Sequence, residues 1–392
     1  MTGTSTPTYT PMTGESWRNP FPLYAALRDH DPVHRGHGDY WVHSRFHDVW
    51  NAARDTETFS SDQGITFHNE KAELALLPTI VMMDPPDHTR YRRLVSRGFT
   101  PRQVGELEPE LRAFVRRCVD DLVDVDETDL VATLAQRVPC FVVAHCLGIG
   151  ETDRTRFALW TEAIVQASTS AFEDGTAGAL VDLYEFFTEQ IERRRVEPSN
   201  DMISALLAAD PEGVGLTAEE ILGYMVVMIA GGNDTAIGLL AGGSELLARH
   251  PDERARLIAD PALIPDAVEE MLRLTSPVQG LCRVSTHALA LHNTTLPAGS
   301  RVMLCYAAAN RDPREFGPDA DELNVGRSVP RYVALGSGPH FCLGTAAARL
   351  QGRIVFEELL ARCPDFDVDS DRGTFAGGSF TRRHETLPFA PR

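Results

Sequence analysis

Apolar residues recur every three or four positions along most of the chain, which is the spacing of an amphipathic helix. The pattern is clear over 46–53, 104–122, 152–168 and 176–196, and it predicts a helix in each range. The run 32–43 predicts a short β-hairpin, because two short runs of β-forming residues flank a group of turn residues. The patterns predict a mainly α fold with small β-sheets.

The longest helical pattern begins after Thr217 and ends at His250, where Pro251 stops it. Thr217 and Glu220 form a capping-box signature at its start. Such a helix spans about 50 Å. Its apolar first half meets two glycines and an acid too soon for a membrane span, which requires about 20 apolar residues.

The middle of this helix contains residues that do not suit a purely structural helix. Gly231 and Gly232 each cost about 1 kcal/mol relative to Ala, and Asp234 and Thr235 follow in apolar surroundings. One interpretation is that a ligand approaches the backbone here while the acid and the hydroxyl handle protons. The alternative is a notch for helix packing.

No long linker divides the chain, so the sequence predicts one large domain. Residues 1–16 are rich in Thr, Ser, Gly and Pro, contain no Lys or Arg, and show no periodic pattern. We therefore predict a flexible N-terminal arm over 1–16 and a single domain over 17–392.

Composition and charge narrow the functional classes. With 37 Lys plus Arg against 56 Asp plus Glu, the 392-residue chain has a net charge of −19, which excludes nucleic-acid binding driven by overall charge. Its seven cysteines form no CxxC pair and no secretory leader is evident, so we expect a cytoplasmic protein with no membrane anchor. The sequence contains no HExxH, Walker or GxGxxG motif for a zinc, phosphate or dinucleotide site.

Two charged segments are ambiguous on their own. Glu270 and Arg273 lie three positions apart on one helix face, an arrangement that is usually a solvated contact. The run 88–102 holds five arginines and no acid, and it is either a solvated face or an anion-binding patch.

The run 335–344, Leu-Gly-Ser-Gly-Pro-His-Phe-Cys-Leu-Gly, leads directly into a helical pattern. Tight turns at Gly336, Gly338 and Gly344 would free backbone amides, and these amides together with the helix N-terminus favour a thiolate at Cys342. So many glycines would be unusual around a buried core cysteine. On this reasoning Cys342 is a nucleophile or a metal ligand.

The order of these motifs resembles the cytochrome P-450 superfamily, the haem-thiolate monooxygenases. GxGxHxCxG around Cys342 follows ExxR at Glu270, and both follow the Gly-Gly-x-Asp-Thr of the long helix. The phrases at 84–90 and 309–313 resemble soluble bacterial members. The segment 268–283 and the C-terminal Gly-Gly-Ser-Phe-Thr-Arg-Arg resemble a subfamily of actinobacterial type. The resemblance implies a triangular domain with haem between the long central helix and the helix that follows the cysteine.

The resemblance also implies the cofactor, haem b, and the residues that hold it. Cys342 would be the axial ligand of the iron. Cationic groups would pair with the haem propionates, while residues beside the cysteine and in the long helix would border the ring. The implied cofactor-binding residues are His340, Arg283, His88, Arg92, Gly231, Gly232, Phe341 and Gly344.

The resemblance assigns Asp234 and Thr235 to proton delivery toward dioxygen, which favours O2 over peroxide as the oxidant. It assigns a structural ion-pair group to Glu270, Arg273 and Arg327.

The chain departs from the family pattern at two positions. Leu335 replaces a usual Phe, and Ala236 stands where a second hydroxyl is common. We expect both departures to tune the site without removing a ligand.

The chain shows no flavin or iron–sulfur motif, so the resemblance implies electrons from NAD(P)H through a separate ferredoxin and ferredoxin reductase. Candidate docking residues are Arg93, Arg97, Arg102 and Arg349.

The expected reaction is hydroxylation or dealkylation of a hydrophobic small molecule. The candidate substrate-pocket residues are mostly apolar; they are Met225, Met228, Ile229, Val278, Leu281 and Phe380.

Two alternatives remain open on the residues alone. Cys342 and His340 could form the nucleophile and base of a hydrolase, although they lie only two positions apart and have no evident orienting partner. The chain could also be a haem protein without turnover, such as a gas sensor, an alternative that the Asp234–Thr235 pair disfavours.

Overall fold

The computed structural model describes residues 8–68, 79–96, 100–168, 175–208 and 216–392. Helices dominate these residues, as predicted. They are α1 (Phe21–His30), α2 (Phe46–Ala52), α3 (Asp87–Val95), α4 (Pro101–Glu106), α5 (Glu108–Val123), α6 (Arg137–Leu147), α7 (Arg156–Ser168), α8 (Thr176–Val196), α9 (Met202–Leu207), α10 (Ala218–Arg249), α11 (Pro251–Ala259), α12 (Ile264–Thr275), α13 (Tyr306–Ala309), α14 (Pro313–Phe316) and α15 (Thr345–Arg362).

The strands are short. They are β1 (Val33–Arg35), β2 (Tyr40–His43), β3 (Phe59–Ser60), β4 (Thr128–Asp129), β5 (Leu281–Ser285), β6 (Leu289–Leu291), β7 (Thr294–Leu296), β8 (Arg301–Leu304), β9 (Phe366–Val368), β10 (Thr374–Phe375), β11 (His384–Thr386) and β12 (Pro388–Pro391).

The largest described sheet has the order β1-β2-β8-β5-β3. The predicted hairpin is confirmed, since β1 and β2 are antiparallel with Val33 opposite His43. The strand β2 also pairs in parallel with β8, where Tyr40 lies opposite Arg301. A three-stranded sheet, β4-β12-β9, and the pairs β10-β11 and β6-β7 complete the described β-structure.

The long central helix α10 is confirmed, together with its predicted cap. The hydroxyl of Thr217 accepts the backbone N–H of Glu220 at 3.1 Å, and the Glu220 carboxylate accepts the N–H of Thr217 at 2.8 Å. By length and composition α10 could cross a membrane, but 61% of its most apolar window is buried within the protein. It is therefore the core helix against which α6, α7, α8 and α12 pack.

The helix predicted over 104–122 is instead two helices, α4 and α5, that meet at Leu107. Pro109 lies in the first turn of α5, where its missing N–H costs no hydrogen bond. Apolar spacing continues across the junction, so periodicity alone did not reveal the break.

The prediction of a flexible arm is wrong for residues 8–16, which pack against the rest of the protein. Residues 1–7 lie outside the described part of the chain. Tyr9 is fully buried, and its carbonyl accepts the Tyr40 hydroxyl at 3.0 Å. The N–H of Gly14 donates to the carbonyl of Ala376 at 3.2 Å. Single apolar side chains such as Tyr9 and Met12 anchor this segment without any periodic pattern.

His43, in β2, is fully buried, and neither ring nitrogen has a hydrogen-bond partner among the described residues. Burial lowers the pKa of His43 from 6.5 to about 4. Between these values the unfolded chain binds more protons than the folded protein. The stability that neutral His43 provides is therefore present above pH 6.5 and is lost as the pH falls toward 4.

Replacing His43 by Phe removes this titration and leaves no unsatisfied polar atom. Between pH 6.5 and 4, we expect the free energy of unfolding of the wild type to fall by about 3 kcal/mol more than that of His43→Phe. Urea unfolding of both proteins across this pH range measures the difference. Parallel pH profiles would contradict the prediction.

Candidate active site

Cys342 lies in the loop that precedes α15, and backbone contacts hold it in place. Its N–H donates to the carbonyl of Leu335 at 2.8 Å, and its carbonyl accepts the Thr345 hydroxyl at 2.7 Å. Burial raises the pKa of the Cys342 thiol, an effect that the N–H of Gly344 offsets only in part. The loop amide therefore favours the thiolate, as expected, but does not outweigh burial, and ionisation of the sulfur calls for a further positive charge such as a metal ion.

Two of the three loop glycines are needed for the turns that were predicted. Gly336 and Gly338 have φ angles of +73° and +70°, where other residues are strained. A Cβ at Gly338 would also lie 2.9 Å from the Cα of Arg54. Gly344 has an ordinary φ of −77° and begins α15, so its backbone does not require glycine.

Beside this loop the structure brings together His340, His88, Arg92 and Arg283. The rings of His340 and His88 are 4.2 Å apart. Both nitrogens of the buried His88 lack a hydrogen-bond partner among the described residues. Arg92 donates to the carbonyls of Pro339 and Phe341, at 2.8 and 2.5 Å.

None of these four side chains forms an ion pair with a carboxylate in the described ranges. Burial, and then the nearby charge of Arg283, lower the pKa of His340 to about 2. Burial also lowers the pKa of His88. Arg283 is buried and the two ring nitrogens of His88 are unsatisfied, so this cluster suits an anionic ligand that accepts their hydrogen bonds.

Glu270, Arg273 and Arg327 form the buried ion-pair group whose contact the sequence predicted. The side chains of Glu270 and Arg273 are completely inaccessible, and Arg273 donates to both carboxylate oxygens at 2.7 and 2.8 Å. Arg327 approaches the same carboxylate at 3.0 Å.

The Arg273 guanidinium also ties this group to the chain before the cysteine loop. It donates to the carbonyls of Asn310 and Ala320 at 2.6 and 2.7 Å. The side-chain oxygen of Asn310 in turn accepts the N–H of Val333 at 2.8 Å.

The two glycines in α10 differ in their surroundings. A Cβ at Gly231 would meet nothing within 4 Å, so this position is open. A Cβ at Gly232 would lie 2.7 Å from the side chain of Val143 in α6. Gly231 therefore fits a groove for a ligand, whereas the groove role expected for Gly232 is wrong, because Gly232 is a packing notch.

Asp234 and Thr235 make separate contacts. The Thr235 hydroxyl donates to the carbonyl of Gly231 at 2.6 Å. The buried Asp234 carboxylate accepts from the Arg383 guanidinium. Burial raises the pKa of Asp234, and the charge of Arg383 opposes this rise. Sequence reasoning missed Arg383, for which the only signal was a pair of adjacent arginines in the C-terminal segment.

Four of the six pocket candidates keep partial exposure: Met228, Val278, Leu281 and Phe380. Met225 and Ile229 have no accessible surface and belong to the core. They are four residues apart and thus share one face of α10, which packs inward. Assigning these two residues to the substrate pocket is therefore wrong.

A surface cavity of about 380 Å³ adjoins the cysteine loop and is lined in part by Leu335 and Phe341. Among the docking candidates, the Arg349 guanidinium is bound to both oxygens of Glu269 at 2.7 Å. Arg102 is exposed and lies 3.5 Å from Glu106. Arg93 is exposed, whereas Arg97 lies outside the described residues.

The profile of the family Cytochrome P450 matches residues 166–374. The chain is 50% identical to Cytochrome P450 130 of Mycobacterium tuberculosis, with 96% of each chain covered. The chain belongs to the cytochrome P450 family. It is also 36% identical to a vitamin D(3) 25-hydroxylase of Pseudonocardia autotrophica, over 93% of this chain and 91% of that one.

The fold is that of bacterial cytochrome P450s, as predicted. The structure of the P450 PksS of Bacillus subtilis superimposes with a TM-score of 0.89 at 30% identity, covering 98% of this chain and 100% of that one. This cytochrome P450 is accordingly a monooxygenase, a class that uses haem and dioxygen.

The residues present fit a haem group. Its two propionates would supply the negative charge that the cluster of His88, His340, Arg92 and Arg283 lacks. The iron would supply the positive charge that a Cys342 thiolate needs. The unsatisfied nitrogens of His88 are the observation on which this fit chiefly depends.

The ion-pair group of this cytochrome P450 allows a matched stability test. We expect Arg273→Met to lower the free energy of unfolding by about 3–5 kcal/mol, because it leaves buried polar groups unpaired. Arg349→Met breaks a contact to the adjacent Glu269, but the Arg349 side chain is 49% exposed, so we expect less than about 1 kcal/mol. Urea unfolding measures both, and equal losses in the two variants would be inconsistent with this assignment.

Proposed function

We propose that this cytochrome P450 inserts one oxygen atom from O2 into an apolar small molecule, by hydroxylation or dealkylation. A ferredoxin and a ferredoxin reductase deliver the electrons from NAD(P)H. The observation that carries the proposal is the cluster of His88, His340, Arg92 and Arg283 beside the Cys342 loop, in which both ring nitrogens of the buried His88 lack a hydrogen-bond partner among the described residues.

Cys342 would bind the iron of haem b, and the four cluster residues would hold its propionates. Phe341, Gly344 and Gly231 would border the ring between α10 and α15. When bound, haem supplies the activation of dioxygen, which no side chain can perform. The buried group of Glu270, Arg273 and Arg327 keeps the fold around the cofactor and touches no reacting atom.

Proton delivery belongs to Thr235 and Asp234. The Thr235 hydroxyl lies in the open part of α10 and donates to the carbonyl of Gly231. By turning toward the groove, this hydroxyl can hold a proton donor in place there. Asp234 can resupply the proton once its carboxylate leaves Arg383.

The substrate would lie against Met228, Val278, Leu281 and Phe380. Apolar side chains without a fixed charge favour a hydrophobic ligand, and Met adapts to irregular shapes. The relation to a vitamin D(3) 25-hydroxylase supports hydroxylation of such a molecule.

The ferredoxin would dock on the face of the cysteine loop, where Phe341 is 39% exposed. Arg93 and Arg102 are candidates for contact with its acidic surface, because both side chains are exposed. Seven free cysteines in the structure support a cytoplasmic location.

The haem assignment is tested by the absorption spectrum of the reduced protein with carbon monoxide. We expect a strongly red-shifted Soret band in the wild type that is lost in Cys342→Ser, because the thiolate causes the shift. Cys140→Ser, at a partly exposed cysteine in α6, serves as the control and should keep the band. A haem-loaded wild type without the shift would refute thiolate ligation.

The proton-delivery role is tested by the coupling of NADPH oxidation to product formation. We expect Thr235→Ala to form several-fold less product per NADPH oxidised and to release more hydrogen peroxide, because the hydroxyl is missing. Thr235→Ser keeps the hydroxyl and should retain most of the coupling. Product and peroxide are measured once a ligand has been found by its effect on the haem spin state. Unchanged coupling in Thr235→Ala would remove this residue from proton delivery.

A further inference from the structure

The C-terminal segment before β11 is held tightly against α10. A Cβ at Gly238 would lie 2.9 Å from the carbonyl oxygen of Arg382, so the backbones approach closely there. The N–H of Arg382 donates to Pro277 and its guanidinium donates to the carbonyl of Trp17, at 2.8 and 2.7 Å. Because Gly238 lies one helical turn after Asp234, this contact brings the next residue, Arg383, beside the Asp234 carboxylate.

Arg383 lies between two carboxylates that belong to different helices. Its guanidinium contacts Asp234 of α10, and its Nη2 atom is 3.7 Å from a carboxylate oxygen of Glu162 in α7. The side chain of Asp234 is 4% exposed and that of Glu162 is 48% exposed. Asp234 thus depends on Arg383 for compensation of its charge, whereas water can solvate Glu162.

The helix α7 contacts both partners of this arrangement. Thr161, next to Glu162, accepts a hydrogen bond from the Asn233 amide at 3.2 Å. A Cβ at Gly378 would lie 3.1 Å from the Val165 side chain, so α7 also touches the C-terminal segment. A small displacement of α7 therefore changes the distance from Glu162 to Arg383.

We infer that Arg383 is a positioning residue that keeps the Asp234 carboxylate ionised and bound outside the groove at Gly231, and that Glu162 competes for the same guanidinium. When α7 moves toward the C-terminal segment, Glu162 draws Arg383 away from Asp234. This frees the Asp234 carboxylate for proton delivery. Phe380 lies three residues before Arg383, so a ligand in the pocket acts on the same segment. The inference rests on the proposed function, because proton delivery is the role that Asp234 has there.

The first test uses infrared spectroscopy on the holoprotein at neutral pH, without any substrate. Removing the cation in Arg383→Gln leaves Asp234 buried and unpaired, so its pKa rises further and the carboxyl group is protonated. We expect the carbonyl band of a protonated carboxylic acid in Arg383→Gln that is absent from the wild type and from the double variant Arg383→Gln/Asp234→Asn. Arg383→Lys keeps a cation and should show no band. Absence of the band in Arg383→Gln overturns the role of Arg383.

The second test measures NADPH-dependent release of hydrogen peroxide in H2O and in D2O, with a surrogate ferredoxin and reductase. Without its competitor, Arg383 stays on Asp234 in Glu162→Gln, so we expect several-fold slower release and a larger solvent isotope effect than in the wild type. Glu189→Gln, which removes an exposed charge in α8, is the control and should match the wild type. Equal isotope effects in Glu162→Gln and Glu189→Gln overturn the competition.

The two failures can be told apart. A wild type without the red-shifted Soret band refutes haem-thiolate chemistry. The infrared comparison still decides in that case whether Arg383 keeps Asp234 ionised.

Discussion

The buried ion pair of Glu270 and Arg273 is the constraint on which the reactive part of the molecule depends. Two charges taken out of water repay their desolvation only where further hydrogen bonds satisfy their remaining atoms. Arg273 meets this demand by donating to Glu270, Asn310 and Ala320 at once. Asn310 fixes Val333, whose carbonyl accepts the N–H of Gly336 at the start of the cysteine loop. The ion pair of Glu270 and Arg273 therefore positions the loop of Cys342 from a distance.

Features that depend on neighbouring residues were predictable from the sequence. The cap of α10 needs only Thr217 and Glu220, so its start was predicted to the residue. The turns at Gly336 and Gly338 follow from local backbone geometry. The ion-pair group around Glu270 was harder to predict, because two charges three positions apart are usually solvated. It became convincing only beside the cysteine motif, and the structure shows the contact of Arg327 that the resemblance implied.

Features that depend on what packs against an element were not predictable. Apolar spacing identifies α10, but all its faces are rich in apolar residues, so the pattern did not show that Met225 and Ile229 face the core. Gly231 and Gly232 are equivalent in sequence, and only the neighbour Val143 distinguishes them. Residues 8–16 lack periodicity, yet a few contacts of Tyr9 and Gly14 with distant segments hold them. Arg383 is 149 residues from Asp234, beyond the reach of any local motif.

The cysteine-loop cluster and the Asp234 carboxylate differ in how the fold compensates their polar groups. The cluster around His88 and His340 leaves the ring nitrogens of His88 unsatisfied among the described residues, so an anionic cofactor bound there would stabilise the folded state. Asp234 instead receives its counter-charge from the chain itself, through Arg383. For the proton delivery proposed for Asp234, the counter-charge must be able to leave its carboxylate. The half-exposed Glu162 offers Arg383 an alternative partner at little cost in desolvation, because water already solvates its carboxylate.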